Sequence, residues 1–472
     1  MSPFCCPDLP TPETKMSPRP NSNAARDIAY HIHPHTNFRQ HEDNGSVVVQ
    51  RGDGVYVVDD EGKRYLEAMA GLWCASLGFS EKRLAEAAYK QMLELPYYHT
   101  FNYKTHTPIV DLAERLIAMA PVPMSKVIFQ SSGSEANDSA VKFVHYYNNA
   151  IGRPEKKKII ARTKGYHGTT RTAASLTGLP NMHALFDLPL DGVLHTMCPH
   201  FYRFGEDGES EEAFASRCAE DLERIILEEG PDTVAAFFAE PVMGAGGVIV
   251  PPAGYYEKIQ AVLKKHDVLF IADEVICGFG RTGEMWGSQT MGIQPDILVC
   301  AKALSSSYLP ISAVLIKEAI YEGLKSGTED MPFGHGFTYG GHPVAAAVAV
   351  ETLKIYEEID LVNRTRSVGK RLQDGLRQLA DHPIVGEVRG VGMVAAVELV
   401  ADKATKQPFD PALKIGAGLQ DRAQEDGLIL RAMGDSIAFA PPLILKEAEC
   451  DEILEKFSTA LDRTWRSMGG PS

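Results

Sequence analysis

No stretch of the 472-residue sequence approaches the ~20 apolar residues that a membrane-spanning helix needs. Nor is there a basic block. Lys and Arg number 47 against 62 Asp and Glu, a net charge of −15, which argues against nucleic acid as a partner. The eight cysteines (Cys5, Cys6, Cys74, Cys198, Cys218, Cys277, Cys300 and Cys450) are scattered, lack zinc spacing and fall partly in apolar segments. That is the usage of a reducing compartment with buried thiols. The opening MSPFCCPDLPTPETK has neither the basic start nor the apolar core of a secretory signal. The expectation is a soluble, cytoplasmic protein. Because Met-Ser-Pro occurs at Met1 and again at Met16, two translation starts fit the sequence.

What the sequence does hold is length and a 44% hydrophobic fraction, enough for one large domain and a smaller one. Its centre of gravity is Val268 to Tyr308. Val268-Leu269-Phe270-Ile271-Ala272 is an apolar run ending in Asp273, and Ile297-Leu298-Val299-Cys300-Ala301 is a second ending in Lys302. Runs apolar on both faces suit central strands of a parallel sheet. Open α/β sheets place ligands at the carboxyl ends of such strands. A lysine and an aspartate held there are what pyridoxal phosphate requires, one for the Schiff base and one for the pyridine nitrogen. Each residue alone reads equally well as a surface charge or a structural ion pair.

Around this centre, strand and helix alternate. Val127 to Gln130, Lys158 to Arg162, Val234 to Ala239 and Ile311 to Ile316 read as strands. Between them, Ala136, Ala140, Phe143, Val144 and Tyr147 mark one amphipathic helix, and Phe214, Cys218, Leu222, Ile225 and Ile226 another. This order predicts parallel βαβ units. The turn Ser131-Ser132-Gly133-Ser134 opens the first of these helices, as an anion site does. An ordinary N-cap, with Glu135 closing a capping box, accounts for it as well. The stretch lacks a Walker lysine and is not GxGxxG, so nucleotide folds match poorly. Tyr166 stands just past a strand end, able to stack on a flat ring or simply pack in a turn, and Glu240 is one more carboxylate at a strand end.

Upstream, residues 1–25 are rich in Pro and Ser and read as a disordered tail. His31, His33, His35 and His41 could ligate a metal. Pro34 interrupts them and no cysteine or paired carboxylate stands near, so the expectation is a covering loop and no metal site. Gly54 to Leu66 reads as a hairpin. Trp73, one of three tryptophans, falls in a small-residue loop as core or pocket wall. Helices are expected at Lys82 to Glu94 and around Ile109, Leu112, Leu116 and Ile117. The aromatic-dense Leu95 to Phe101 suits an interface or pocket rim. Downstream, the glycine-rich Gly334 to Pro343 leads into a long helix (Ala345 to Tyr356). Beyond it lie strands at Gly392 to Val400 and Ile437 to Ala440, and helices near Lys370, Leu419 and Leu454. Arg431 closes the short strand Leu428 to Leu430, where a guanidinium suits a carboxylate or an exposed salt bridge. The expected division is 1–25 tail, 26–75 N-terminal part of a small domain, 76–345 large domain, and 346–472 C-terminal part of the small domain.

Taken together, AGLWC at 70–74, SSGSEAND at 131–138, YHG at 166–168, AEPV at 239–242, IADEVICGFGRTG at 271–283, AKALSSSYLP at 301–310, GFTYGGHP at 336–343 and VGEVRGVG at 385–392 resemble the class III aminotransferases. The likeness is to the ω-amino acid:pyruvate and amine:pyruvate branch, and it covers nearly everything after about residue 30. It implies PLP fold type I: a large domain with a mostly parallel central sheet flanked by helices, plus a smaller α+β domain from both chain ends. It implies that Lys302 is the Schiff-base lysine, that Asp273 partners the pyridine nitrogen, and that Val275 and Tyr166 cover the two ring faces. Gly133 and Ser134 then hold the phosphate, with Thr338 reaching it from a neighbouring subunit, and Glu240 lies near the ring. Trp73, Phe101 of the partner subunit and Arg431 form the substrate pocket. The implied assembly is a homodimer with shared active sites, or a tetramer built from it.

The resemblance also implies a ping-pong transaminase that moves an amino group from a primary amine or ω-amino acid to a keto acid, most simply pyruvate. A decarboxylase, racemase or aminomutase on the same fold would share Lys302 and Asp273. A non-catalytic binder would have had no need to keep them. The motifs fit the pyruvate-using branch better than an ornithine or γ-aminobutyrate enzyme. Three positions depart from the usual pattern: Ala303 and Ser307 stand where related chains have Gly, and Gly340 where they often have Ser.

Overall fold

The computed structural model describes residues 21–329 and 331–470. Most of the segment expected as a tail lies outside them. From Asn23 the chain is helical, through Asn23–Tyr30, with the Ser22 hydroxyl capping the first turn.

The described residues form three sheets. The first begins as a meander, β1 (Val49–Asp53), β2 (Tyr56–Asp59) and β3 (Arg64–Glu67), all antiparallel. The expected hairpin is its second half. Its outer strand β1 is mostly exposed and carries no apolar alternation, so periodicity missed it.

The central sheet contains β4 (Lys126–Gln130), β5 (Lys158–Arg162), β6 (Val193–Thr196), β7 (Val234–Ala239), β8 (Leu269–Asp273), β9 (Ile297–Cys300) and β10 (Ser312–Ile316). Their spatial order is β4-β10-β9-β8-β7-β5-β6. From β9 through β8, β7 and β5 to β6 the pairing is parallel, as the strand–helix alternation predicts. β10 runs antiparallel to both β9 and β4. The connection explains it: residues 301–311 are too few for a helical crossover to a parallel neighbour, so the chain turns back beside β9. Lys302 stands at the start of that turn. β7, β9 and β10 are buried at every position, as strands covered on both faces should be.

The helix Gly133–Ala150 packs across β4, β10, β9 and β7. Its N-terminus therefore opens at the edge where β7, β8 and β9 end. Ala136, Ala140, Phe143 and Val144 are buried against the sheet, while Tyr147 is only partly covered. The helix Pro343–Glu358 is apolar almost all round and packs against Lys82–Glu94 and Thr107–Met119.

After it come β11 (Val385–Val391), β12 (Val394–Leu399), β13 (Leu428–Ile429), β14 (Arg431–Met433) and β15 (Ser436–Phe439). β11, β12, β15 and β14 form an antiparallel sheet. β13 leaves it to pair in parallel with β3, so chain ends far apart in sequence share one sheet. Arg431 accordingly opens a new strand instead of closing the old one, and β13 and β14 belong to different sheets.

Helix Leu361–Arg377 lies against the β11–β12 turn through Gly369, where a Cβ would stand 2.7 Å from the Gly392 carbonyl. Gly369→Ala gains about 1 kcal/mol of helix propensity and meets an overpacking cost of about 1–3 kcal/mol. We expect net destabilisation of about 1 kcal/mol, read as a lower urea midpoint at unchanged slope.

Candidate active site

The site is assembled by strand ends. Asp273 is the last residue of β8, Lys302 follows β9, and Glu240 follows β7. Because these strands are adjacent and parallel, three charged side chains from distant parts of the sequence reach one edge. Tyr166 comes from the turn after β5. All four line a cavity of about 880 Å³, with Trp73, Gly133, Ser134, Val275 and Arg431 in the same wall.

Asp273 is 3% exposed, and its carboxylate is held from both sides. Asn137 Nδ2 donates to Oδ2 at 2.9 Å, His167 Nδ1 lies 2.8 Å from the same oxygen, and the Val275 N–H donates to Oδ1 at 3.1 Å. Asn137 also donates to the His167 carbonyl at 2.6 Å, which ties the two partners together. Neither Asn137 nor His167 received a role from sequence alone, although both lie inside SSGSEAND and YHG. Their signal was position in a motif, and their function became visible only when Asp273 stood between them.

Glu240 is buried, and burial pushes its carboxyl above the usual carboxylate range. Oε1 accepts from the Tyr166 N–H at 3.0 Å and Oε2 from the Gly244 N–H at 2.8 Å. It fixes the backbone that carries the Tyr166 ring. Burial pushes Tyr166 up and both Lys302 and Arg431 down from their ordinary values. Lys302 has φ +48, a strained conformation for a non-glycine residue of the kind that concentrates at functional sites. Arg431 makes no ion pair among the described residues, so its guanidinium faces the cavity without a carboxylate of its own.

The helix start shows that two readings of one motif coexist. Ser132 and Glu135 do form a capping box. That box leaves the Gly133 and Ser134 N–H groups, the first two of the helix, directed outward. Both residues line the cavity. A Cβ at Gly133 would come within 3.2 Å of both Val275 methyls, so the bare position keeps this end of the cavity open.

Trp73 is buried, in a short turn Ala70–Trp73 whose Gly71 and Leu72 are off helical values. The turn is held by Glu67, which sequence reading left unassigned. Its carboxylate accepts from the Met69 N–H at 3.1 Å and from the Gly71 N–H. Burial pushes Glu67 up to about 7.

Phe101 and Thr338 do not reach this cavity. Phe101 borders a separate surface hollow, and Thr338 is exposed, its carbonyl accepting from the Tyr97 hydroxyl at 2.8 Å. Of the three departures from the family pattern, only Ser307 touches the cavity. Ala303 is buried in the core and Gly340 sits on the Thr338 loop.

The donor set fits pyridoxal phosphate: an amine, a buried carboxylate for a protonated ring nitrogen, flanking apolar and aromatic faces, and free N–H groups at a helix start. Replacing His167 with Phe or Asn137 with Leu leaves a buried carboxylate short of a donor. We expect a lower melting temperature of the cofactor-free protein and at least tenfold weaker cofactor retention on dialysis, read by visible absorbance. Glu67 sets a pH dependence. A carboxyl raised in the fold stabilises most below its unfolded value and loses that advantage as pH rises to about 7. Unfolding curves should show wild type falling relative to Glu67→Gln across that window; parallel curves would refute it.

The aminotransferase class-III family model matches residues 38–461. The chain is 52% identical over 420 residues to the γ-aminobutyrate transaminase 3, chloroplastic, of Solanum lycopersicum, covering 89% of this chain and 81% of the relative. It is 50% identical over 420 residues to the vanillin aminotransferase of Capsicum frutescens, covering 89% and 92%. The solved ω-transaminase of Pseudomonas jessenii in complex with PMP superposes with a TM-score of 0.94 at 57% identity, covering 96% of this chain and 100% of that one. The preference against a γ-aminobutyrate enzyme finds no support in these names. Family match, relatives and site agree: the chain belongs to the class III aminotransferases, pyridoxal-phosphate-dependent transaminases of fold type I.

Proposed function

We propose that the transaminase takes primary amines and ω-amino acids as donors and a keto acid, pyruvate, as acceptor. The observation that carries this reading is Arg431, an unpaired guanidinium lining the same cavity as Trp73 and Tyr166. A guanidinium binds a carboxylate through two parallel hydrogen bonds. The apolar walls accept a carbon skeleton without one. The names of the relatives, one for an ω-amino acid and one for an aromatic aldehyde, support the same breadth.

In this reading Lys302 and Asp273 are the catalytic pair. Pyridoxal phosphate, when bound, supplies an aldehyde that exchanges the amino group and a ring that draws electrons from the reacting carbon. Asp273, fixed by Asn137 and His167, would hold the ring nitrogen in its protonated form. Gly133 and Ser134 would bind the phosphate. Val275 and Tyr166 would cover the ring faces, and Glu240 would keep Tyr166 in place. Lys302 Nζ, whose burial favours the neutral amine, takes the proton from the amine-bearing carbon of the donor. Trp73 and Tyr166 exclude water from that carbon, and Arg431 orients the acceptor carboxylate.

The homodimer belongs to the same proposal. Tyr98, Phe101, Tyr103 and Tyr339 are exposed on the face that carries Thr338, an aromatic surface of the kind interfaces bury. In a dimer, Phe101 and Thr338 would serve the neighbouring cavity, since they do not reach their own. Two such dimers could form a tetramer. The chain divides, in this proposal, into small-domain segments 26–75 and 346–472 around a large domain 76–345. No helix among the described residues is long and apolar enough to cross a membrane. The free cysteines support a reducing compartment, which we take as the cytoplasm.

The test is spectroscopic. Adding a donor amine to the loaded protein without acceptor should bleach its visible cofactor band, and pyruvate should restore it. A band that no keto acid restores would sink the proposal. Arg431→Ala should raise the KM for pyruvate ten- to hundredfold and leave the KM of an arylalkyl amine within about twofold. Equal losses for both substrates would remove Arg431 from acceptor recognition.

A further inference from the structure

The histidine-rich segment upstream of the catalytic fold forms a cluster the mechanism does not use. Helices Asn23–Tyr30 and Phe38–Asn44 fold back on each other across a short link. The turn brings Asp27 from the first helix, His33 from the link and His41 from the second to one point. The ligand-capable atoms of these three residues all lie within 4.8 Å of one another. His33 Nε2 is 2.8 Å and His41 Nε2 3.5 Å from the same Asp27 oxygen, Oδ2. The His33 and His41 rings lie 4.3 Å apart. Ser46 Oγ donates to Oδ2 at 2.5 Å, and His31 Nδ1 lies 3.0 Å from Oδ1.

The sequence favours a covering loop here, because Pro34 interrupts the histidines and no cysteine or paired carboxylate stands near. Asp27, four residues before His31, supplies a shared carboxylate once the helices fold together. A second feature points the same way. The His41 side chain is only 9% exposed, and its Nε2 is buried with no hydrogen-bond partner while facing the carboxylate. A buried nitrogen held 3.5 Å from a carboxylate oxygen, too far for a good hydrogen bond, is costly unless something occupies the space between.

We propose that Asp27, His33 and His41 bind a divalent transition metal of the zinc class. Two imidazoles and one carboxylate, with a fourth position left to water, form a set that zinc accepts. Around a tetrahedral zinc, ligand atoms about 2.0–2.1 Å from the metal stand about 3.3 Å apart. The 3.5 Å pair already has that spacing, and the 2.8 Å hydrogen-bonded pair opens by about half an ångström to admit the ion. His31 and Ser46, on the same carboxylate, hold the oxygens in place as outer partners do.

The consequence reaches the active site. Pro34 and His35, between two of the ligands, line the same cavity as Lys302, Trp73 and Arg431. The metal would staple the arm that forms this part of the pocket rim, so its occupancy would set how firmly the rim is closed over the amine.

The experiment uses tag-free, cofactor-loaded protein stripped with a chelator and titrated calorimetrically with zinc chloride. The expected result is one zinc per chain, with at least tenfold weaker binding in His41→Gln and in His33→Gln. Each variant is first checked for an unchanged cofactor absorbance. Failure of wild type to bind one equivalent, or unchanged binding in both variants, overturns the proposal. Should either variant fail to fold, anomalous diffraction from a zinc-soaked wild-type crystal decides alone. A peak between Asp27, His33 and His41 supports the site, and a peak only elsewhere refutes it.

Discussion

A carboxylate that is 3% exposed and has to be hydrogen-bonded is the constraint around which this fold is arranged. An ionisable group buried in such a place is costly unless it is hydrogen-bonded. Two side chains and one backbone N–H surround it, and each comes from a different part of the chain. Asn137 sits one turn into the helix after β4, His167 follows β5, and Val275 follows β8 itself. The same contacts that make the carboxylate affordable also fix the helix start and the Tyr166 turn, which are the other two walls of the cavity.

The central sheet makes this convergence cheap in backbone terms. Parallel strands deliver their last residues to one edge without any special loop. Only the step from β9 to β10 breaks the parallel order, and it does so at Lys302. The return connection passes through three left-handed residues, Lys302, Ser306 and Ser307, and the lysine is the first of them.

Polar positioning recurs around the cavity. Glu240 holds the backbone of Tyr166, Glu67 holds the turn of Trp73, and Ser132 with Glu135 closes the helix start while leaving the next two N–H groups outward. In each case a buried or capped carboxylate organises backbone next to a residue that faces the ligand. The exposed aromatic face with Phe101 and Thr338 stands apart from this cavity, which is why the reading of a shared site rests on a second copy of the chain.

The sequence by itself determined the elements and the chemistry. Strands apolar on both faces, each followed by a charged residue, announced Lys302, Asp273 and Glu240, because burial pattern and strand ends are local properties. It also placed the helices at Lys82–Glu94 and Gly133–Ala150, whose apolar spacing is local too. It could not show β1 or β6, whose partial exposure leaves no clean alternation, nor that Arg431 begins a strand in a different sheet from Leu428. Above all, it could not reveal partners. Asn137 and His167 on Asp273, and Asp27 among the histidines, are contacts across a fold or a helix turn-back. Such pairings depend on which surfaces meet in three dimensions, and only the tertiary structure decides that.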